Sequence, residues 1–120
     1  SPWLDASLSD PRSQELQKKD VLLEKDLLAE AGENYAGELP LTDPMVSPIY
    51  CNFYQLGELL VVAGTDEILY PDVLRLQDRI KRSQGNTLRL EVVEGMMHDF
   101  VVYPLKESLP YVDQIGEFYQ

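Results

Sequence analysis

The run "LLVVAG" at residues 59–64 decides the fold class that this sequence predicts. It is continuously apolar and contains β-branched residues, whereas a strand with one wet face alternates polar and apolar positions. A run of this kind is typical of a strand that is covered on both faces, as in a parallel sheet. The residues behind it have helical spacing, and Gly85 is expected to follow the end of that helix. The apolar positions of the helix are Leu69, Val73, Leu76 and Ile80.

A second strand is predicted at "TLRLEVV", residues 87–93, where apolar and polar positions alternate. That pattern suits a strand near a sheet edge. A closing helix follows, with Ser108 as candidate N-cap and Pro110 in its first turn. The apolar stripe expected on this helix consists of Val112, Ile115 and Tyr119.

Ahead of the first strand the pattern is less regular. Residues 1–11 are expected to be a strand end that runs into a turn at Asp10-Pro11. A charged helix follows, which Gly37 closes, and residues 38–58 contain three prolines and predict a long ordered loop. The apolar positions of the charged helix are Leu27, Leu28, Ala31 and Tyr35.

The order strand, helix, strand, helix predicts an α/β fold with a parallel sheet. Two strands cannot form a sheet that needs cover on both faces. The 120 residues are therefore expected to be a portion of a larger fold, and the start "SPWLDAS", without methionine, fits that expectation.

Composition excludes several classes of function. Lys plus Arg number 10 against 21 Asp plus Glu, so the net charge of −11 repels nucleic acid and anionic membranes. With 44 % hydrophobic residues the chain can build a core. Cys51, the single cysteine, is expected to be a small buried or half-buried thiol, and no Cys/His cluster predicts zinc. No apolar run is long enough for a membrane span, and a cytoplasmic location is expected.

Two residues with chemical potential follow the two strands. Asp66 comes shortly after "LLVVAG", and His98, the only histidine, lies in "EGMMHDF" after the second strand. Functional groups gather at the carboxyl ends of parallel strands, so both are expected at one rim. A carboxylate beside an imidazole fixes its tautomer and stabilises the imidazolium, which makes a general base. A solvated loop histidine without a role is the alternative.

The stretches "SPWLDASLSDP", "DPMVSPIY", "VVAGTDEILYPD" and "LRLEVVEGMMHDF", in this order, resemble the C-terminal part of the hormone-sensitive-lipase-like carboxylesterases, which have the α/β-hydrolase fold. The resemblance covers essentially the whole chain, although "QLGELL" replaces a proline-rich approach to the first strand. It implies that Asp66 is the catalytic acid, that His98 is the catalytic histidine, and that Phe100 packs under the histidine loop. Residues 12–37 match an insertion that helps to form a lid, and residues 57–120 carry the acid and the histidine.

Other residues near these positions have less specific interpretations. Glu67 and Asp72 are expected to be carboxylates at a helix start, where the helix dipole favours them. Met96 and Met97 either line an acyl pocket or simply pack in the core.

The nucleophile of such an esterase is absent from this sequence. No serine lies in a Gly-x-Ser-x-Gly pattern, and no "H-G-G" oxyanion loop occurs. Both motifs lie upstream in the resembled family. The prediction is a serine carboxylesterase or lipase acting on small-molecule esters without a cofactor or metal, of which this chain is an inactive C-terminal fragment.

Two alternatives remain open at this point. One is a non-catalytic interaction module that pairs with a second copy through the edge of residues 87–93. The other is a different chemistry on the same fold, such as that of a peptidase or a dehalogenase.

Overall fold

The computed structural model describes residues 1–120 and contains four helices and two strands. Short 3₁₀ turns at Pro48–Tyr50 and Phe100–Val102 connect some of them. The order of elements confirms the predicted strand–helix–strand–helix alternation after the long loop. The elements are α1 (Pro11–Leu16), α2 (Lys25–Ala36), β1 (Tyr54–Gly64), α3 (Tyr70–Lys81), β2 (Gln84–Val93) and α4 (Leu109–Phe118).

The two strands form a parallel pair, as predicted, with Leu59 opposite Leu88 and Gly64 opposite Val93. Both strands begin earlier than the sequence pattern indicates. The early part of β1 contains a register irregularity between Tyr54 and Gly57. There the backbone N–H of Leu56 donates to the Asn86 side chain at 2.6 Å rather than to a ladder carbonyl. A polar side chain therefore supplies a hydrogen bond at the start of β1, and the apolar run in the sequence does not predict this part of the strand.

Helix α3 packs against β2 and β1, and all four of its predicted apolar positions are buried. The end of this helix differs from the prediction. The helix closes at Lys81 with Arg82 as its C-cap, and Gly85 lies inside β2 with a φ of 75°. Gly85 has a left-handed backbone conformation at the irregular start of the sheet. A side chain would be crowded there, because a Cβ would lie 3.0 Å from the Cγ of Gln55.

The main apolar core lies between α3 and the loops that precede β1. It joins residues from three separate stretches of the chain, so burial of each depends on the others. Its buried members are Leu4, Ile49, Phe53, Leu76 and Ile80. Cys51 packs half-buried against this cluster, as expected.

The first ten residues are irregular, not a strand end, and Asp10-Pro11 begins a helix. The Asp10 carboxylate accepts from the Arg12 N–H at 3.0 Å, and Pro11 occupies the first helical turn. Helix α2 ends at Ala36, and Gly37 is its C-cap, as predicted. Its expected apolar stripe is nevertheless not buried, since Tyr35 is 73 % exposed.

Small residues make the buried contact of α2 instead. Gly32 and Ala36 are buried, and a Cβ on Gly32 would lie 2.7 Å from the backbone oxygen of Ala6. The helix therefore approaches the N-terminal segment too closely for larger side chains.

The predicted stripe of α4 is also largely exposed, because the helix covers only part of one face of the two-stranded sheet. Tyr119 is 84 % exposed and Val112 is exposed too. Ser108 occupies the N-cap position, but its hydroxyl donates to the Phe100 carbonyl at 2.6 Å instead of capping the helix. None of the helices combines the length and apolar character that a membrane crossing requires.

A buried ionic cluster ties the N-terminal segment to α3. Nη1 of Arg75 lies 2.8 Å from the Asp5 carboxylate and 2.7 Å from the Asp72 carboxylate, and both acids are fully buried. Burial alone would raise the pKa of Asp5, but hydrogen bonds from Arg75, Ser7 and Ser9 outweigh it and lower that pKa. At Asp72 burial prevails and raises the pKa of the carboxyl group.

Candidate active site

The loops that leave β1 and β2 are bonded to each other at the carboxyl ends of the strands. The N–H of Thr65 donates to the Val93 carbonyl at 3.1 Å, and the N–H of Asp66 donates to the Met96 carbonyl at 3.0 Å. The Thr65 hydroxyl accepts from the N–H of Gly95 at 2.9 Å. These bonds hold the histidine loop, residues 94–99, against the loop that follows β1.

Gly64 allows this close approach. A Cβ at this position would lie 2.0 Å from the Met96 carbonyl oxygen, well inside van der Waals contact. The glycine that ends the apolar run is therefore required by the neighbouring backbone. Its position sets how near the two loops can come.

His98 meets a carboxylate at this rim, and that carboxylate belongs to Glu67. Nδ1 of His98 lies 3.3 Å from Oε1 of Glu67. The Glu67 side chain is fully buried, whereas the His98 side chain is 18 % exposed. The rim therefore contains an acid–imidazole pair with a buried acid and an imidazole that reaches the surface.

The second carboxylate oxygen of Glu67 is held by two donors. The hydroxyl of Ser1 donates to Oε2 at 2.5 Å, and the N–H of Gly64 donates to the same atom at 3.2 Å. Oε1 is left for His98. The hydrogen bonds thus divide the carboxylate into an anchored oxygen and an oxygen that faces the imidazole.

The environment of His98 favours its protonated form. The hydrogen bond that Nδ1–H of His98 donates to Glu67 raises the pKa of His98 and outweighs the opposing effect of burial, while the charges of Glu67 and Asp99 act in the same direction as that hydrogen bond. With Nδ1–H donated to Glu67, Nε2 is the nitrogen that can take a proton. Nε2 lies 3.3 Å from the half-exposed carboxylate of Asp99.

Asp66, the predicted partner of His98, points elsewhere. Its carboxylate lies 3.8 Å from Nζ of Lys19 and accepts from the Thr65 hydroxyl at 3.3 Å. It makes no hydrogen bond or ion pair with His98. The structure thus corrects the expected pairing: the loop bonds direct the side chain of the next residue, Glu67, toward the imidazole.

The expectation for Glu67 itself was also wrong. Helix α3 begins at Tyr70, so Glu67 lies before the helix, and it is buried beneath the histidine. The sequence gives no signal that singles out Glu67, because it lies next to Asp66 and neither periodicity nor spacing separates two adjacent acids.

The remaining predicted residues lie in or near this loop region. Phe100 is buried beneath the histidine loop, as expected from the resemblance. Its ring makes an edge-to-face contact with Tyr111, with 5.6 Å between the ring centroids. Asp72 does lie in the first turn of α3, but it is buried against Arg75. Met96 and Met97 are half-buried.

The largest cavity lies away from the two methionines. Its volume is about 430 Å³, and neither Met96 nor Met97 lines it. Most of its lining is apolar and comes from the N-terminal segment, α2 and the long loop. The lining residues are Trp3, Ala6, Ala31, Gly32, Tyr35, Met45, Val46 and Pro48.

The sequence model of the α/β-hydrolase fold matches residues 1–102. The chain belongs to the α/β-hydrolase family. This match and the parallel pair of strands confirm the predicted fold class.

Relatives of this α/β-hydrolase chain are named as esterases and as hormone-sensitive-lipase homologues. An esterase of Acinetobacter venetianus is 28 % identical over 98 % of the chain. The crystal structure of EstE7, a hormone-sensitive-lipase homologue from a metagenome library, superposes with a TM-score of 0.90 at 28 % identity and covers 98 % of the chain. An esterase from the bacterial hormone-sensitive-lipase family gives a TM-score of 0.91 at the same identity and coverage.

The chain spans about two fifths of the length of these relatives: 40 % of the Acinetobacter esterase, 41 % of EstE7 and 40 % of the third protein. The predicted resemblance to hormone-sensitive-lipase-like esterases is confirmed by these matches.

Proposed function

We propose that this chain is the C-terminal portion of a serine carboxylesterase and that it supplies the acid and the base of a catalytic triad. Glu67 is the acid and His98 the base. The observation that carries the proposal is the contact of 3.3 Å between Nδ1 of His98 and the buried Glu67 carboxylate at the carboxyl ends of the two strands. The names of the relatives support ester hydrolysis as the reaction.

The geometry suits the acid–base work of ester hydrolysis. Glu67 holds Nδ1–H, which leaves the lone pair on Nε2 to take the proton of a serine hydroxyl as that oxygen attacks the ester carbonyl. The imidazolium then gives this proton to the departing alkoxide. In the second half of the reaction, Nε2 takes a proton from water as the water oxygen attacks the acyl carbonyl. The imidazolium then gives that proton to the serine oxygen as the acyl–serine bond breaks and the carboxylic acid leaves. The negative charge of Glu67 stabilises the imidazolium at each stage.

Glu67 suits this role better than Asp66 for two reasons. It touches the imidazole, and its desolvated carboxylate acts on His98 with little screening by water. Asp66 is partly exposed and lies beside Lys19. Asp66 remains the alternative acid because the sequence resemblance points to the first acidic residue after the strand.

A nucleophile must come from another part of the protein. The sequence holds no Gly-x-Ser-x-Gly elbow and no "H-G-G" loop, and the chain spans about 40 % of the Acinetobacter esterase. We therefore propose that both motifs precede this segment in a longer polypeptide. Residues 12–37 would form part of a lid in that protein.

The proposal is tested first on the coding sequence ahead of Ser1 and then on the longer polypeptide. We expect a serine elbow upstream, and we expect the longer protein to hydrolyse p-nitrophenyl butyrate. His98→Ala should lower kcat by several orders of magnitude, since triad members act as a unit. Coding sequence without an elbow, or a His98→Ala variant with unchanged kcat, would contradict the proposal.

The 120-residue chain by itself provides a matched control. It should not hydrolyse the same ester, because it carries a base without nucleophile or oxyanion donors. Turnover by the purified chain that an organophosphate inhibitor blocks would show that one of its own serines is the nucleophile.

An interaction role is the second candidate. Strand β2 pairs only with β1, so its other edge is free, and the side chain of Val92 is exposed beside it. A free edge of this kind can pair with a second copy of the chain. Light scattering on the longer polypeptide distinguishes the cases: a monomer that turns over esters supports the enzyme, whereas an inactive dimer favours the interaction module.

A further inference from the structure

The segment between α1 and α2 is hydrogen-bonded to the loop that carries Glu67. We call residues 65–69 the acid loop. The backbone N–H of Ile68, directly after Glu67, donates to Oδ2 of Asp20 at 2.8 Å, although 48 residues separate the two in sequence. This bond joins the insertion at residues 12–37 to the residue that follows the proposed acid.

Apolar packing reinforces the same junction. Ile68 and Leu69 are buried and form a cluster with Leu8. Partly buried side chains from the insertion and the N-terminal segment cover this cluster. They are Trp3, Leu16, Leu23 and Leu28. The acid loop therefore rests on the insertion through both a polar and an apolar contact.

The two oxygens of Asp20 act on different parts of the chain. Oδ1 accepts from the N–H groups of Leu22 and Leu23 at 2.9 and 2.8 Å, which closes the turn before α2. Oδ2 alone faces the acid loop. The charged carboxylate thus connects a local turn to a distant backbone amide, and hydrogen bonds to charged acceptors are the stronger ones.

We propose that Asp20 is a positioning residue for the esterase reaction, which holds Glu67 against His98 by anchoring the Ile68 amide. The inference rests on the proposed function. Lys19 is less suited to this role, because its contact with Asp66 is longer, at 3.8 Å, and its side chain is 64 % exposed. Asp20 acts instead on the backbone next to the acid.

Asp20→Asn tests the inference selectively. Its single carbonyl oxygen can keep the turn with Leu22 and Leu23, while its NH₂ group then faces the Ile68 N–H, donor against donor. Asp20→Ser is a second variant. The hydroxyl can close the local turn but is too short to reach Ile68, and it places no donor against that amide.

Asp43→Asn is the matched control. The Asp43 carboxylate accepts from the N–H of Met45 at 2.8 Å in a similar turn, but it makes no contact with the acid loop. In the longer polypeptide we expect the control to keep wild-type kcat/KM. Both Asp20 variants should lose about ten- to hundredfold, since small displacements of catalytic groups have effects of this size.

The pH profile separates positioning from a general loss of stability. Because Glu67 raises the pKa of His98, a displaced Glu67 should lower that pKa and move the acidic limb of kcat/KM to lower pH. If Asp20 has only a structural role, its variants should have a lower Tm but an acidic limb of kcat/KM at the wild-type pH. Adding Asp20→Asn to a Glu67→Gln variant should cause little further loss, because both act on the same contact.

Each result supports or overturns the inference. If Glu67→Gln retains full activity, the proposed acid is wrong and the role of Asp20 falls with it. If Glu67→Gln is severely impaired while both Asp20 variants match Asp43→Asn in rate and pH profile, only the positioning role is overturned. If Asp20→Asn does not fold, the same criteria are applied to the kcat/KM of Asp20→Ser and to the pH of its acidic limb.

Discussion

The Glu67 carboxylate and Nδ1 of His98 lie 3.3 Å apart, although 31 residues separate them along the chain. The contact exists because β1 and β2 are parallel neighbours and their loops are bonded to each other at the same rim. The parallel pairing of the two strands therefore brings the acid and the base to one rim. The identity of the acid has consequences that measurement can check.

Substitution of the two adjacent acids should have opposite outcomes. In the longer polypeptide, Glu67→Gln should lower kcat for a short-chain ester by about 10³- to 10⁴-fold, since an amide can hold the wrong imidazole tautomer and cannot balance the imidazolium. Asp66→Asn should stay within a few-fold of wild type, because only an exposed ion pair with Lys19 is lost. Circular dichroism checks the folding of both. If Asp66→Asn is the damaged variant, Asp66 is the acid and our assignment fails.

The ion pair should make stability depend on pH with a defined sign. The pKa of His98 is raised in the folded state, so its contribution is fully present below the unfolded pKa of about 6.5 and is lost as pH rises through the folded value. The difference in unfolding free energy between wild type and Glu67→Gln should therefore shrink from about pH 5.5 to about pH 8.5. Urea denaturation of the longer polypeptide measures it, with Asp66→Asn as control. A difference that grows with pH would exclude this linkage.

Removal of the cation from the buried cluster should destabilise the fold. Arg75→Met leaves Asp5 and Asp72 buried without their shared partner, and loss of one member of a buried ionic cluster costs about 3–5 kcal/mol. Arg82→Met removes an exposed arginine of the same region and should change stability by less than about 0.5 kcal/mol. Denaturant unfolding of the longer polypeptide compares them. Equal effects would show that the cluster does not stabilise the fold.

Gly64→Ala should separate the two active-site loops. The new methyl group would lie 2.0 Å from the Met96 carbonyl, so the backbone must move and the contact between Glu67 and His98 should weaken. Gly116→Ala in α4 meets no atom within 4 Å and should be neutral or stabilising by about 0.5–1 kcal/mol. We expect a lower Tm and a large loss of kcat only for Gly64→Ala. Wild-type kcat in that variant would show that the loops tolerate separation.

Local periodicity made the fold class and α3 predictable. The run at residues 59–64 and the helical spacing after it are recognised from residues that are close in sequence. The structure buries each of those helix positions. The same reasoning failed for the stripes of α2 and α4. Tyr35 and Tyr119 are exposed because burial depends on what packs against a helix, and α2 makes its contact through Gly32.

The sequence by itself determined that an acid and the single histidine follow two parallel strands and meet at one rim. It did not determine which acid. Asp66 and Glu67 are adjacent and chemically alike, so periodicity and spacing treat them equally. The tertiary structure decides, because the Met96 carbonyl holds the N–H of Asp66 and the Asp20 carboxylate holds the N–H of Ile68. Anchored on both sides by residues distant in sequence, the backbone turns Glu67 inward to His98 and leaves Asp66 facing Lys19.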